Sequence, residues 1–265
     1  MPRIPSGDAE IFYQDMEQGP ALVLIHAFPA NHEMWLPAGE MLCTHYRLIL
    51  PDVRGHGASD PGEGPATMDK HAADLARISD NAEIKRAVFA GISVGGYILF
   101  EFWRRHRDRV RALILCDTKA QADTDEARKN RLQSAEDVLQ RGPEPFIESM
   151  IPKLLGKTTQ SARPDLVEQA RQMMKKMTAK GIAAVQKGMA ARPDSVDTLK
   201  TIKVPTLIIV GEEDNLATVA DAELMHKNIA GSQLRVIPKA GHYSPFERHE
   251  AVGHEIRRFL DLLPA

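Results

Sequence analysis

The sequence predicts an α/β protein built on an eight-stranded, mostly parallel sheet, with helices on both faces and a helical segment inserted after the sixth strand. Three observations predict it. Short aliphatic and β-branched runs recur along the chain, longer amphipathic or polar stretches separate them, and the alternation breaks once, over residues 117–205. Fully apolar strands alternating with helices mark a parallel sheet covered on both sides.

The strands follow in order. Arg3–Pro5 and Ala9–Gln14 are expected to pair as an antiparallel edge, and Asp15 to Pro20 makes the turn into the first parallel strand. The parallel strands are expected at Ala21–Ile25, Arg47–Leu50, Ala87–Ala90, Ala112–Leu115, Thr206–Val210 and Leu234–Ile237. About ninety residues separate the fourth and fifth of these, far more than one crossover helix needs. That stretch has helical patterns at Asp125–Leu139, Glu144–Leu155, Pro164–Thr178 and Gly181–Ala190, punctuated by Gly142-Pro143, Gly156 and Arg192-Pro193. The expected organisation is a core of residues 1–120 and 194–265, with a helical cap at 121–193 that belongs to the same folded unit.

Composition narrows the function. A chain of 265 residues with 43% hydrophobic content can bury one large core. The 34 Lys and Arg nearly balance the 36 Asp and Glu, so no global field concentrates a polyanion or an acidic bilayer, and neither nucleic acid nor membrane is an expected partner. The N-terminus has no apolar stretch of signal-peptide length and no later segment reaches the ~20 apolar residues of a spanning helix, so the expected location is the cytoplasm. Cys43 and Cys116 have no metal spacing and are expected as reduced thiols, mostly buried. No histidine cluster has ligand spacing, so no catalytic metal is expected. The basic run Arg104, Arg105, Arg107 and Arg109 reads as a solvated helix end, where cations suit the macrodipole.

Chemistry enters at Gly91-Ile92-Ser93-Val94-Gly95, which follows an apolar run and opens an amphipathic stretch from Tyr97 to Arg107. A serine on a sharp strand-to-helix turn needs tiny residues two before and two after it, and Gly91 and Gly95 supply them. A serine hydroxyl is a poor nucleophile and needs a base that is itself oriented by a third group. Asp214 follows the strand-like run Thr206–Val210, and His242 follows Leu234–Ile237. The order Ser93, Asp214, His242 is the one this fold requires. Glu212, Glu213 and Asp117 are rival orienting acids. Acyl transfer also needs donors for an oxyanion: the backbone N–H of Val94 opens the helix, and in His26-Ala27-Phe28-Pro29 the N–H of Phe28 is the candidate, because Pro29 cannot donate.

These motifs, with Pro51-Asp52-Val53-Arg54-Gly55-His56-Gly57-Ala58-Ser59-Asp60 and Gly241-His242-Tyr243-Ser244-Pro245-Phe246-Glu247, give the chain a resemblance to the α/β-hydrolase superfamily over essentially its whole length. The resemblance implies the triad Ser93, Asp214 and His242, an oxyanion hole from Phe28 and Val94, and no cofactor. Cys116-Asp117-Thr118, leading into Asp123-Thr124-Asp125-Glu126-Ala127-Arg128, makes it most similar to short bacterial carboxylesterases and enol-lactonase-like serine hydrolases. Ala27 stands where the family usually has glycine. Serine at 93 in place of aspartate argues against epoxide hydrolases and haloalkane dehalogenases. Arg54 and His56 are expected to brace the loop beneath the site.

The expected activity is hydrolysis of small carboxylic esters or lactones. Two alternatives keep the fold: a carbon–carbon bond hydrolase of a vinylogous diketone, and a small-ligand receptor with little turnover. The insertion is expected to set specificity, with Phe146, Met150 and Met189 lining an acyl pocket; the other methionines there, Met173, Met174 and Met177, mainly pack.

Overall fold

Strand-forming runs of Val, Ile and Leu buried on both faces are the backbone of the molecule, and the computed structural model describes them within residues 3–263. The strands are β1 (Arg3–Ser6), β2 (Ala9–Met16), β3 (Ala21–Ile25), β4 (Arg47–Pro51), β5 (Ala87–Ile92), β6 (Val110–Cys116), β7 (Thr206–Gly211) and β8 (Gln233–Ile237). They form one sheet in the order β1-β2-β4-β3-β5-β6-β7-β8. The pairs β1–β2 and β2–β4 are antiparallel and all others parallel. Chain order reverses on either side of β3, and a crevice opens at such a switch point beyond the strands' C-terminal ends. The loops after β3 and β5 part there.

Helices connect and cover the strands: α1 (Leu36–Gly39), α2 (Met68–Asn81), α3 (Val94–His106), then α4 (Asp125–Arg141), α5 (Glu144–Leu154), α6 (Lys157–Ala162), α7 (Pro164–Met174) and α8 (Ala179–Ala190) in the insertion, and finally α9 (Val196–Leu199), α10 (Val219–Asn228), α11 (Ser244–Glu247) and α12 (His249–Asp261). Threonine side chains cap α2, α4, α8 and α10. The insertion holds five helices where periodicity predicts four. Gly156 reads as plain punctuation, yet the short α6 starts directly after it, and Thr178, expected to end a helix, instead caps α8. α3 also departs from the amphipathic reading, since Val94 to Trp103 are all buried. The arginines in its last turn and just beyond are paired as well as partly exposed: Glu101 takes both Arg104 and Arg105, and Arg109 meets Asp80.

Alternate residues of the strands feed two hydrophobic cores, Val23, Phe89 and Leu113 on one face and Leu22, Val88 and Ile114 on the other. The insertion contributes to both: Ile182, Val185 and Met189 join the first, and Ile147, Leu166 and Met173 the second. Cys43 is half-buried and Cys116 buried, both free thiols. Among the described residues no helix is long and apolar enough to cross a membrane.

The loop from Asp52 to Asp60 sits under the crevice. Arg54 is buried and donates to both carboxylate oxygens of Asp74, to Asp8 and to the Ser6 carbonyl, tying α2 to the β1–β2 hairpin. The Asp52 carboxylate accepts from the Ala58 and His32 N–H groups. His26, His56 and His71 lie close by, fully buried, and burial pushes His26 down to about 4, His71 to about 3 and His56 well below its ordinary value. The native state therefore keeps these rings neutral where the unfolded chain, titrating near ~6.5, takes up protons. Their contribution is present above ~6.5 and is lost as pH falls toward the folded values, at about 1.4 kcal/mol per pH unit per histidine. Denaturant unfolding at pH 7 and pH 5 is expected to show this loss, and His71→Leu to reduce the slope by about one proton; an unchanged slope in that variant would contradict it.

Candidate active site

β5 ends at Ile92 and α3 begins at Val94, which leaves Ser93 alone at the turn with φ 55° and ψ −114°. A non-glycine residue in such a region costs about 1–3 kcal/mol and persists only where its surroundings over-determine it. They do so here. The Ser93 N–H donates to the Cys116 carbonyl at 3.0 Å, and the Ser93 carbonyl accepts from the Thr118 hydroxyl at 2.8 Å and the Gly96 N–H at 2.9 Å. A Cβ on Gly91 would stand 2.5 Å from the Gly95 carbonyl carbon, one on Gly95 2.8 Å from the Ile25 carbonyl oxygen, and one on Gly96 would strike the Thr118 side chain. The turn can close only on bare backbone.

Two later loops reach the Ser93 hydroxyl. Asp214 lies just past β7, and His242 lies between β8 and α11. A carboxylate only accepts, so His242 Nδ1–H donates to Asp214 Oδ2 at 2.7 Å, leaving Nε2 to accept from Ser93 Oγ–H at 2.8 Å. Asp214 Oδ1 accepts from the Leu216 and Ala217 N–H groups at 2.8 and 3.1 Å, which fixes the carboxylate plane. All three side chains are nearly buried.

The rival acids are engaged elsewhere. Glu212 accepts from the Lys239 N–H, and Glu213 takes both the N–H and the hydroxyl of Thr158 in α6. Asp117 is buried and accepts from the Gly211 N–H at 2.7 Å and from Ser244 Oγ at 2.5 Å. Burial, and after it the nearby negative charge of Asp214, raise its carboxyl well above the ordinary range. It braces the two loops that carry Asp214 and His242.

Glu247 escaped the sequence reading. Its buried carboxylate accepts from the Gly241 N–H at 2.9 Å and the Tyr243 N–H at 3.3 Å, the two residues flanking His242, and from the Gly156 N–H at 2.8 Å in the insertion. Gly156 and Gly241 touch backbone to backbone: a Cβ on Gly156 would lie 2.7 Å from the Gly241 nitrogen. An acid closing the segment Tyr243-Ser244-Pro245-Phe246 five residues after His242 was the available signal. Burial raises its carboxyl above the ordinary value, offset in part by these hydrogen bonds.

Val94 is the first residue of α3, so its N–H has no carbonyl one turn back. Phe28 follows β3, its peptide bond to Pro29 is cis, and its carbonyl accepts from the buried Tyr243 hydroxyl at 3.2 Å. Above Ser93 and His242 lies a cavity of about 300 Å³ walled by Phe28, Tyr97, Met150, Leu154, Met189 and Leu216. Phe146 is not among its lining residues. Its ring packs on Phe28 at 5.6 Å and lines a neighbouring cavity of about 180 Å³ between α4 and α5, because the α5 turn that carries Met150 inward points Phe146 behind Phe28. Three cations missed in the sequence, Lys119, Arg131 and Lys153, also line the larger cavity. Among the described residues no group of three or more His, Cys, Asp or Glu side chains is placed to hold a metal ion.

A mostly parallel eight-stranded sheet, with a serine on the turn after its fifth strand and polar residues converging from the loops after later strands, defines the class of α/β hydrolases. The family described as "alpha/beta hydrolase fold" matches residues 20–249, and the chain belongs to it. It is similar to a thermophilic esterase from Thermogutta terrifontis, solved with malate bound, at 40% identity over 97% of this chain and 95% of that one, with TM-score 0.94. An enol-lactonase from Burkholderia xenovorans LB400 superposes with TM-score 0.92 at 27% identity, covering 98% of this chain and all (100%) of that one. The 3-oxoadipate enol-lactonase 2 of Acinetobacter baylyi is 28% identical over 241 residues, 91% of this chain and 88% of that protein.

Glu247→Ala leaves the buried Gly156 and Gly241 N–H groups without their acceptor, at about 1–3 kcal/mol each. Thermal and denaturant unfolding are expected to register a combined loss of about 2–6 kcal/mol together with reduced turnover. Stability within ~0.5 kcal/mol of wild type would remove Glu247 from this role.

Proposed function

We propose that the protein is a serine hydrolase that cleaves small carboxylic esters or lactones through an acyl-enzyme on Ser93. The carrying observation is the hydrogen-bonded line from Ser93 Oγ through His242 to Asp214, opening on an apolar cavity. The names of similar proteins, esterase and enol-lactonase, support chemistry at an ester bond.

His242 Nε2 takes the Ser93 proton as Oγ attacks the ester carbonyl, and Asp214 holds the ring in the tautomer that can accept it. The oxyanion collects the N–H groups of Val94 and Phe28. The intermediate collapses as His242 returns the proton to the leaving oxygen. Water, deprotonated by the same nitrogen, then attacks the acyl carbon and frees Ser93. In a lactone the leaving oxygen stays tethered to the acyl group, so one open-chain acid departs. A receptor needs no nucleophile bonded to an oriented base, and the complete line favours turnover.

The cavity lies at the small end of the range for ligand pockets, which suits short acyl groups. The helices of residues 121–193 act as the cap: α4, α5 and α8 supply wall residues, including Met150 and Met189. Phe146 supports the wall from behind.

Ser93→Ala is expected to stay folded and lose at least ~10³-fold in turnover, leaving only what the oxyanion donors and binding supply. A burst assay with p-nitrophenyl acetate reads this directly; near wild-type turnover would sink the assignment. Asp214→Asn is expected to cost on the order of 10⁴ in kcat by favouring the wrong tautomer. Greater damage from Asp117→Asn would move the orienting role. Met150→Ala and Met189→Ala are each expected to remove about 1–3 kcal/mol of apolar contact for a cavity-filling acyl group, and less for acetyl. Equal losses in kcat/KM for acetyl and longer esters would place the acyl group elsewhere.

A further inference from the structure

The two segments that enter and leave the insertion are zipped to each other. The Ser195 N–H donates to the Ala120 carbonyl at 2.8 Å, and the Ala122 N–H to the Asp194 carboxylate at 3.1 Å. A buried charge cluster sits at this neck. Asp123, on the entering segment, pairs through one carboxylate oxygen with Arg131 of α4 at 2.6 Å and with Arg192, on the leaving segment, at 2.7 Å. The Arg192 and Asp123 side chains are only 3% and 4% exposed. Burial acts to raise the Asp123 carboxyl, but the two guanidinium groups outweigh it and hold the group below its ordinary value. A buried ion cluster is often no more stable than an apolar replacement, so stability alone does not account for it.

The remaining donors of both arginines converge on one residue. Arg131 Nη1 donates to the Gln186 side-chain oxygen at 3.0 Å and meets Met189 Sδ at 3.6 Å, while Arg192 Nη1 donates to the Met189 carbonyl at 3.2 Å. Arg192 Nη2 reaches back to the Gln121 carbonyl at 3.1 Å. The Arg192 guanidinium also lies over the Tyr97 ring, 4.2 Å from its centre, where a cation is attracted to the π face. Tyr97, Arg131 and Met189 wall the cavity above Ser93, whereas Asp123, Gln186 and Arg192 are not among its lining residues.

Resting on the proposed ester or lactone hydrolysis, we infer that Asp123 and Arg192 are positioning residues for acyl-chain selectivity: without touching substrate, they hold Met189 and Tyr97 at the spacing that fits a short acyl group. Met189 is gripped at both ends, its carbonyl by Arg192 and its sulfur by Arg131. A methionine side chain, with three rotatable bonds, keeps a fixed shape only when it is held. One carboxylate serves both guanidinium groups only when α4 and both neck segments are seated together, so the same contact sets the seat of the insertion and the wall of the cavity.

The test compares p-nitrophenyl butyrate with p-nitrophenyl acetate, which share a leaving group and differ in acyl length. Asp123→Asn keeps the shape of the side chain and removes its charge. It is expected to lower the butyrate-to-acetate ratio of kcat/KM about 5-fold, chiefly through KM for butyrate, and to leave kcat for acetate within ~2-fold. In a Met189→Ala background the same substitution is expected to change the ratio by less than ~2-fold, because effects that run through one side chain do not add. Arg192→Lys keeps the charge but loses the fork that serves three partners, and is expected to fall between wild type and Asp123→Asn. Should Asp123→Asn fail to fold, Gln186→Met, which keeps both ion pairs and releases only Arg131, is expected to lower the ratio about 2–3-fold, again only where Met189 is present. An unchanged ratio in the variants that fold, or the same loss with and without Met189, overturns the inference and leaves hydrolysis through Ser93 standing. A spectrum separates the two claims. In protein labelled with carbon-13 at its methionine methyl groups, the Met189 signal, assigned by its loss in Met189→Leu, is expected to shift or broaden in Asp123→Asn and Arg192→Lys while that of Met150 stays in place. If the wild type cleaves neither ester and the Met189 signal moves, the positioning of Met189 stands and the hydrolase reading fails. If the signal does not move, the positioning role fails whatever the turnover.

Discussion

The left-handed turn at Ser93 is the constraint on which the rest of the structure depends. Its backbone sits where a side chain is disfavoured, so the protein must hold it with forces larger than the roughly 1–3 kcal/mol it costs. Four hydrogen bonds to the Ser93 peptide groups, shared with Cys116, Thr118, Gly96 and Tyr97, and three glycines pressed against neighbouring atoms provide that restraint. Two of the partners, Cys116 and Thr118, come from the end of β6, so the turn requires β5 and β6 to be adjacent and in register, as Ile92 opposite Cys116 shows.

The same economy of parts governs Asp214 and His242. Asp117 and Glu247 each bond a loop that presents Asp214 or His242, and Glu213, next to Asp214 in its loop, ties that loop to Thr158. Two of these carboxylates, Glu213 and Glu247, also bind backbone N–H groups of the insertion at Thr158 and Gly156. The insertion is thus anchored to the loops beneath it at one elbow between α5 and α6, where Gly156 and Gly241 meet without side chains. That elbow therefore bears directly on the loop that carries the imidazole, whereas α4 packs mainly on α8 and to a lesser extent on α5.

Much of this was legible in the sequence because the signals were local. Strand runs such as Ala21–Ile25 have a composition that only a doubly covered strand tolerates, and the serine turn has glycines at fixed offsets. Ser93, Asp214 and His242 followed from strand ends and chain order, and the structure brings them into a single hydrogen-bonded line. What escaped depends on non-local geometry. Phe146 and Met150 are one helical turn apart and equally apolar, and only the packing of Phe28 determines which of them meets the cavity. The short α6 has no apolar period of its own and exists because Glu213 holds Thr158, across 55 positions. Lys119, Arg131 and Lys153 carry no sequence signal, since nothing in one dimension shows that they share a wall.

The division of the insertion's apolar residues between the two cores has a consequence for folding. Ile182, Val185 and Met189 are buried with one face of the sheet, and Ile147, Leu166 and Met173 with the other, so the five helices own no private hydrophobic interior. A segment without its own interior cannot reach a stable state before the sheet exists, nor melt as a separate unit after it. The helices within residues 121–193 are therefore expected to lose their structure together with the sheet, and not to behave as a module that could be carried to another scaffold.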